Sequence, residues 1–156
     1  MNIHEFGADK NKIIVLIHPS LVMWDYFEYI LSILKEEYHI IVPALPGYDE
    51  ENPNENFTSV EEIADNLLGW LKEHKIEKVD LLYGCSMGGS IALKMFSNHG
   101  IKIRNIICDG AITPYQLPWI VTRMISIRDF LMISIGKIGG LKLLEKSFST
   151  DEYSEE

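Results

Sequence analysis

Val79-Asp80-Leu81-Leu82-Tyr83-Gly84-Cys85-Ser86-Met87-Gly88-Gly89-Ser90 decides how the rest of this chain is read. An apolar run with a β-branched start passes through a glycine-flanked serine into a helix-compatible stretch, Ile91-Ala92-Leu93. At the centre stands Gly84-x-Ser86-x-Gly88. That spacing is the nucleophile elbow, a serine on a sharp strand-to-helix turn with its hydroxyl pushed out of the sheet and its backbone strained. Strand and helix approach closely there, so the flanking residues must be small, and Gly84, Gly88 and Gly89 meet that need. The helix that follows offers free N–H groups and the positive end of its dipole to an oxyanion. The bare pattern is common by chance; the strand before it and the helix after it make it specific.

Moving outward, strand and helix signals alternate. Residues 2–6 alternate weakly and suggest a short edge strand ending at Gly7. Residues 12–18 (K-I-I-V-L-I-H) form a continuous β-branched apolar run, as in strands buried on both faces of a parallel sheet. Residues 24–38 carry Trp24, Phe27, Ile30, Leu31, Leu34 and Tyr38 at helical spacing. Residues 39–42 form a strand stopped by Pro43, and a turn-rich loop follows. Thr58 or Ser59, with Glu61 or Glu62 three residues on, predicts a capping box for a helix reaching about His74. Residues 78–83 are the strand into the elbow, 87–98 the helix out of it with Gly100 as its C′ residue, and 103–108 the next strand. This alternation predicts a three-layer α/β/α fold on a mostly parallel sheet. After Ala111 strand signals fade. Trp119, Ile120, Met124, Ile127, Phe130, Leu131 and Ile135 form a wide apolar stripe, which Gly136, Gly139 and Gly140 are expected to break before a short helix over 141–148. We therefore divide the chain into a core, residues 1–112, and a helical cap or lid, residues 113–156; the alternative is a helix simply packed on the sheet.

Hydrophobic residues make up 47% of the 156 and charged residues 24%, enough for one globular domain with a real core. The net charge of −9 argues against nucleic-acid binding, which needs a basic face. Two acidic clusters, Asp49-Glu50-Glu51 and Asp151, Glu152, Glu155 and Glu156, read as solvated surface. Cys85 and Cys108 read as reduced, small apolar residues of a cytoplasmic protein. Residues 1–10 are too polar for a signal peptide. Arg123, Arg128 and Asp129 interrupt the late apolar segment, so no membrane span is expected. No His/Cys/Asp cluster has metal-ligand spacing, and neither metal nor cofactor is implied.

The elbow, the His18-Pro19-Ser20 loop and the Leu45-Pro46-Gly47-Tyr48 turn together resemble the α/β-hydrolase family, over essentially the whole chain but only the first half of that fold. The resemblance implies a serine hydrolase acting on a small-molecule ester or similar acyl bond, with Ser86 as nucleophile. It implies an oxyanion hole made by the backbone N–H groups of Ser20 and Met87. Pro19 replaces the usual glycine of that loop, but the donor needed is the next residue's. It also implies a cap where residues 113–156 fall, with Tyr115, Gln116 and Trp119 as pocket candidates that serve equally as lid core. The third member of a triad is harder to find. The family order is Ser, then acid, then His. Asp109 is the acid candidate, and a turn residue before Gly110 is the competing reading. Of the five histidines, His4, His18, His39, His74 and His99, only His99 follows Ser86, and it lies on the order of 18 Å along the elbow helix. His18 is near but is usually structural in this family. The expectation is a truncated hydrolase, inactive alone. A non-catalytic binding module on the same scaffold and a membrane-surface protein acting through the lid stripe are the alternatives, the latter opposed by the net acidity. An open strand edge and an uncovered lid stripe lead us to expect a homo-oligomer.

Overall fold

The computed structural model describes residues 1–111 and 118–139. Its centre is a five-stranded sheet built from β1 (Ile3–Phe6), β2 (Ile13–Ile17), β3 (His39–Pro43), β5 (Leu81–Cys85) and β7 (Ile106–Asp109), in the order β1-β3-β2-β5-β7. β1 pairs antiparallel with β3, and all other pairs are parallel. A separate two-stranded parallel ladder joins β4 (Lys78–Val79) to β6 (Lys102–Ile103). The continuous strands expected at 78–83 and 103–108 are therefore each divided. Asp80 explains the first break. Its carboxylate pairs with the Lys78 ammonium at 2.5 Å and accepts the Ile13 amide at 3.2 Å, turning the chain out of one ladder and into the other. Its carbonyl accepts Asn105 Nδ2, which ties the second break to the first.

Helices cover the sheet from two sides. α2 (Val60–Glu73) and α3 (Met87–Ser97) lie on one face, where Ile63, Leu67, Leu71, Ile91 and Met95 close over Val15, Ile17, Ile41 and Leu82. The other face holds a smaller core, in which Phe27 and Leu31 pack on Ile14, Leu16, Ile40 and Val42. Those two residues come from a 3₁₀ turn (Trp24–Phe27) and α1 (Glu28–Leu34), into which the helix expected over 24–38 resolves. Ile30, expected inward, is 42% exposed. It borders an open groove of about 1520 Å³ floored by Leu81, Tyr83 and Ile107, because no helix among the described residues of the core covers β5 and β7 on this side.

The capping box forms as expected. Ser59 Oγ accepts the Glu62 amide at 3.2 Å, and Glu62 Oε2 reaches back to the Thr58 amide at 2.8 Å. At the end of α3 it is His99, at φ 52°, and not Gly100 that takes the left-handed conformation. Asp49 is not a solvated charge: it is 5% exposed and accepts the Glu51 amide at 3.0 Å and Asn52 Nδ2 at 2.9 Å, closing the loop after β3. Burial alone would raise its carboxyl pKa, but these bonds outweigh it and hold the group below its ordinary range.

The chain divides into two compact units, Met1–Pro114 and Tyr115–Glu156. Within the second, α4 (Trp119–Gly139) is one continuous helix. The break expected at Gly136 does not occur, since a single glycine costs a helix only about 1 kcal/mol. Trp119, Met124, Ile127 and Phe130 are each more than half exposed. The expected helix over 141–148 lies outside the described residues, and so do Tyr115 and Gln116. No helix among the described residues is long and apolar enough to cross a membrane.

Candidate functional site

Successive connections leave β2 toward opposite sides: β3 lies on one flank of β2 and β5 on the other. At such a reversal a crevice opens between the carboxyl ends of the two strands. The β2–β5 register, Ile14↔Leu81 through Ile17↔Gly84, brings the loop after β2 and the turn after β5 to that crevice together.

Ser86 is the whole of the turn between β5 and α3. It has φ 50° and ψ −116°, a conformation that costs an L-residue of order 1–3 kcal/mol and persists only where its surroundings impose it. Here they do. A Cβ on Gly84 would strike the Gly88 carbonyl, and a Cβ on Gly88 would strike the carbonyl of Ile17 and lie 2.7 Å from that of His18. Only glycine at both places lets the elbow helix sit directly on the carboxyl end of β2. The Ser86 carbonyl accepts the Gly89 amide at 3.0 Å and the Ser90 amide at 3.2 Å, and the Ser86 amide donates to the Asp109 carbonyl at 2.8 Å. The serine backbone is thus held from both ends. Its side chain is half-buried, and no described residue takes a hydrogen bond from its hydroxyl. Met87 opens α3, so its amide has no acceptor within its own helix.

Ser20 lies in the loop after β2, half-buried, beside Leu21. Leu21 has φ 69° and its side chain is 82% exposed. An exposed leucine in the left-handed region is a second strained point at the crevice, and no sequence signal announced it. Asp109 ends β7 opposite Cys85, and its Oδ2 accepts the Tyr83 hydroxyl at 2.9 Å. Its side chain is exposed.

The histidines fall away from the serine. His99 is at the far end of α3. His39 Nε2 pairs with Glu5 at 2.7 Å, and His74 stacks on Trp70. His4 stacks on Trp24. His18 is fully buried and both ring nitrogens are engaged. The Leu45 amide donates to Nε2 at 3.1 Å, so the proton sits on Nδ1, which donates to the Pro19 carbonyl at 2.8 Å. Burial pushes its pKa down, which keeps the ring neutral. In this arrangement His18 stitches the loop after β2 to the loop after β3 and has no free lone pair for a serine proton.

The description "alpha/beta hydrolase fold" matches residues 12–131. Among curated proteins, the 2-hydroxymuconate semialdehyde hydrolase of Pseudomonas sp. (strain CF600) is 27% identical over 114 residues, 70% of this chain and 39% of its own length. An uncharacterised hydrolase of Saccharomyces cerevisiae is 33% identical over 106 residues, 65% of this chain and 37% of its own. Among solved structures, a protein described as of the alpha/beta hydrolase family from Desulfitobacterium hafniense superposes with a TM-score of 0.68 at 34% identity, covering 71% of this chain and 44% of its own. A thermophilic esterase from Thermogutta terrifontis superposes with a TM-score of 0.65 at 22% identity, over 75% of this chain and 42% of its own, a likeness of fold alone. The chain spans about two fifths of the length of these relatives. Since the matched span takes in both strands of the crevice, the serine turn and the helix behind it, the chain belongs to the alpha/beta hydrolase fold family.

Proposed function

We propose that this chain carries the nucleophile half of a serine hydrolase acting on an ester or similar acyl bond of a small molecule. The observation that supports it best is the strained backbone of Ser86 at the sheet's reversal point, imposed by glycines that tolerate no side chain. In this reading Ser86 Oγ attacks the acyl carbon and loses its proton to a base. The amides of Ser20 and Met87 hold the oxyanion of the tetrahedral intermediate, and the leaving alkoxide departs with the proton. Asp109 is the candidate acid. The packing of Gly88 against the Ile17 and His18 carbonyls supports the pairing of the two amides, because it brings the loop after β2 onto the first turn of α3. The relatives' names speak for hydrolysis in general, and the acyl class rests on the elbow.

The base is not among the five histidines. A serine without one is a weak nucleophile. We therefore expect the 156-residue chain to react slowly with a fluorophosphonate probe, and added imidazole to accelerate labelling at Ser86 by standing in for the missing base. Ser86→Ala should abolish it. Labelling that survives Ser86→Ala overturns the nucleophile assignment. Fast labelling without imidazole overturns the missing base, and its loss in His18→Ala would identify His18 as that base. The engaged nitrogens of His18 also favour a second reading, a non-catalytic binding module on the same scaffold. An intact crevice that imidazole cannot activate would support it.

A further inference from the structure

Asp109 has two ends and both are in use. Its backbone carbonyl accepts the amide of Ser86 at 2.8 Å, and its carboxylate accepts the hydroxyl of Tyr83 at 2.9 Å. Asp109 is also the last residue of β7, which pairs with β5 alone among the described residues and is followed by Gly110 at φ 56°. The end of an edge strand is where a ladder frays first. If this end frays, the amide of the serine loses its acceptor. The tie to Tyr83 is the one side-chain hydrogen bond on Asp109 among the described residues. Tyr83 is suited to hold it. It stands on the elbow strand two residues before Cys85, the register partner of Asp109. Its ring is set edge-on against the buried ring of Phe27, with centroids 5.8 Å apart at 85°. Burial and the neighbouring carboxylate push its phenol pKa up, so it remains a donor throughout the neutral range. A phenol donating to a carboxylate is among the stronger hydrogen-bond types.

We propose that Tyr83 is a positioning residue for the serine: by clamping the carboxylate of Asp109 it anchors the hydrogen bond that fixes the Ser86 amide, and so the aim of the Ser86 hydroxyl. The consequence for chemistry rests on Ser86 being the nucleophile; the clamp itself does not.

The test is site-resolved amide hydrogen exchange on the full chain, followed by NMR. In Tyr83→Phe the ring keeps its packing on Phe27, and the Ser86 amide should exchange roughly three- to tenfold faster, the scale of one lost hydrogen bond. The amides of Leu82 and Ile91 should keep their wild-type rates, whereas a general loss of stability would speed all three. Asp109→Ala should reproduce the effect. Asp109→Asn, which keeps an acceptor for the phenol, should largely restore protection. The double variant Tyr83→Phe/Asp109→Ala should exchange no faster than either single one, as expected of two residues acting through one contact. An unchanged Ser86 rate in Tyr83→Phe, or additive effects in the double variant, overturns the proposal. Should Tyr83→Phe not fold, Asp109→Ala reads the same contact from an exposed position outside the core. Imidazole-dependent phosphonate labelling, measured in parallel, should slow by a similar factor in Tyr83→Phe. If the wild-type chain is not labelled at all, the nucleophile reading fails while the exchange data still decide the clamp.

Discussion

Ser86, Gly88 and His18 each show what one side chain contributes to this crevice. The strain at Ser86 persists because the residues around it leave no alternative, and Gly88, pressed against the carbonyls at the end of β2, is one of those constraints. Gly88→Ala should push α3 away from β2 and destabilise the fold by about 1–3 kcal/mol, the usual range for overpacking. Chemical denaturation measures this, and an unchanged midpoint would mean that the elbow is looser than its geometry indicates. His18 carries a pH signature. Its pKa in the fold lies below the ordinary histidine value of 6.5, so the unfolded chain binds the extra proton first. Its contribution to stability is complete above about pH 6.5 and drains away as the pH falls below that value. Unfolding midpoints followed from pH 7.5 down to pH 5 should decline in the wild type, and decline less in His18→Asn. Parallel curves for the two proteins would refute a neutral, buried His18. The sequence already placed Ser86, since Gly-x-Ser-x-Gly between an apolar run and a helix carries its own chemistry. It did not show that both nitrogens of His18 are occupied, because the partners, the Leu45 amide and the Pro19 carbonyl, are main-chain atoms that any residue supplies.

Helix and strand boundaries were legible where a local signal sets them. The start of α2 is the clearest case. Ser59 Oγ accepts the Glu62 amide and the Glu62 carboxylate accepts the Thr58 amide, and this needs only their spacing. Ser59→Ala should cost about 1 kcal/mol, read as a lower thermal midpoint with activity-independent probes. No measurable change would show that the Glu62 carboxylate carries the cap alone. Boundaries set by distant partners were not legible. The strand expected over 78–83 breaks at Asp80 because its carboxylate meets the Ile13 amide, 67 residues away. The stretch 24–38 shows an unbroken helical stripe, yet only Phe27 and Leu31 are fully buried; Trp24, Leu34 and Tyr38 pack half-buried against the same core, and Ile30 borders the open groove.

Among the described residues of the core, α2 and α3 cover one face of the sheet, while the other face is left open over much of β5 and β7. Parallel sheets are normally covered on both faces, so the groove above Leu81, Tyr83 and Ile107 and the side of β7 that is unpaired among the described residues are surfaces that favour association. We expect the isolated chain to form a homo-oligomer in solution. Light scattering on a size-exclusion column checks this, and a monomer that persists at high concentration would sink the expectation. Tyr83→Phe, which leaves the groove apolar, should not change the assembly.

Composition, the alternation of apolar runs with helical stripes, and one serine between glycines determined the α/β class, the mostly parallel sheet and the residue at its centre. These are properties of short windows: burial on two faces needs continuous apolar runs, and a tight turn needs glycine, wherever the rest of the chain goes. Only the tertiary structure decided the register of the strands, that Asp49 is buried, that Asp109 joins Tyr83 to Ser86, and that His18 has no lone pair to give. Each of those depends on groups brought together from distant parts of the chain. The free energy that fixes them comes from the assembled sheet and is absent from any local stretch.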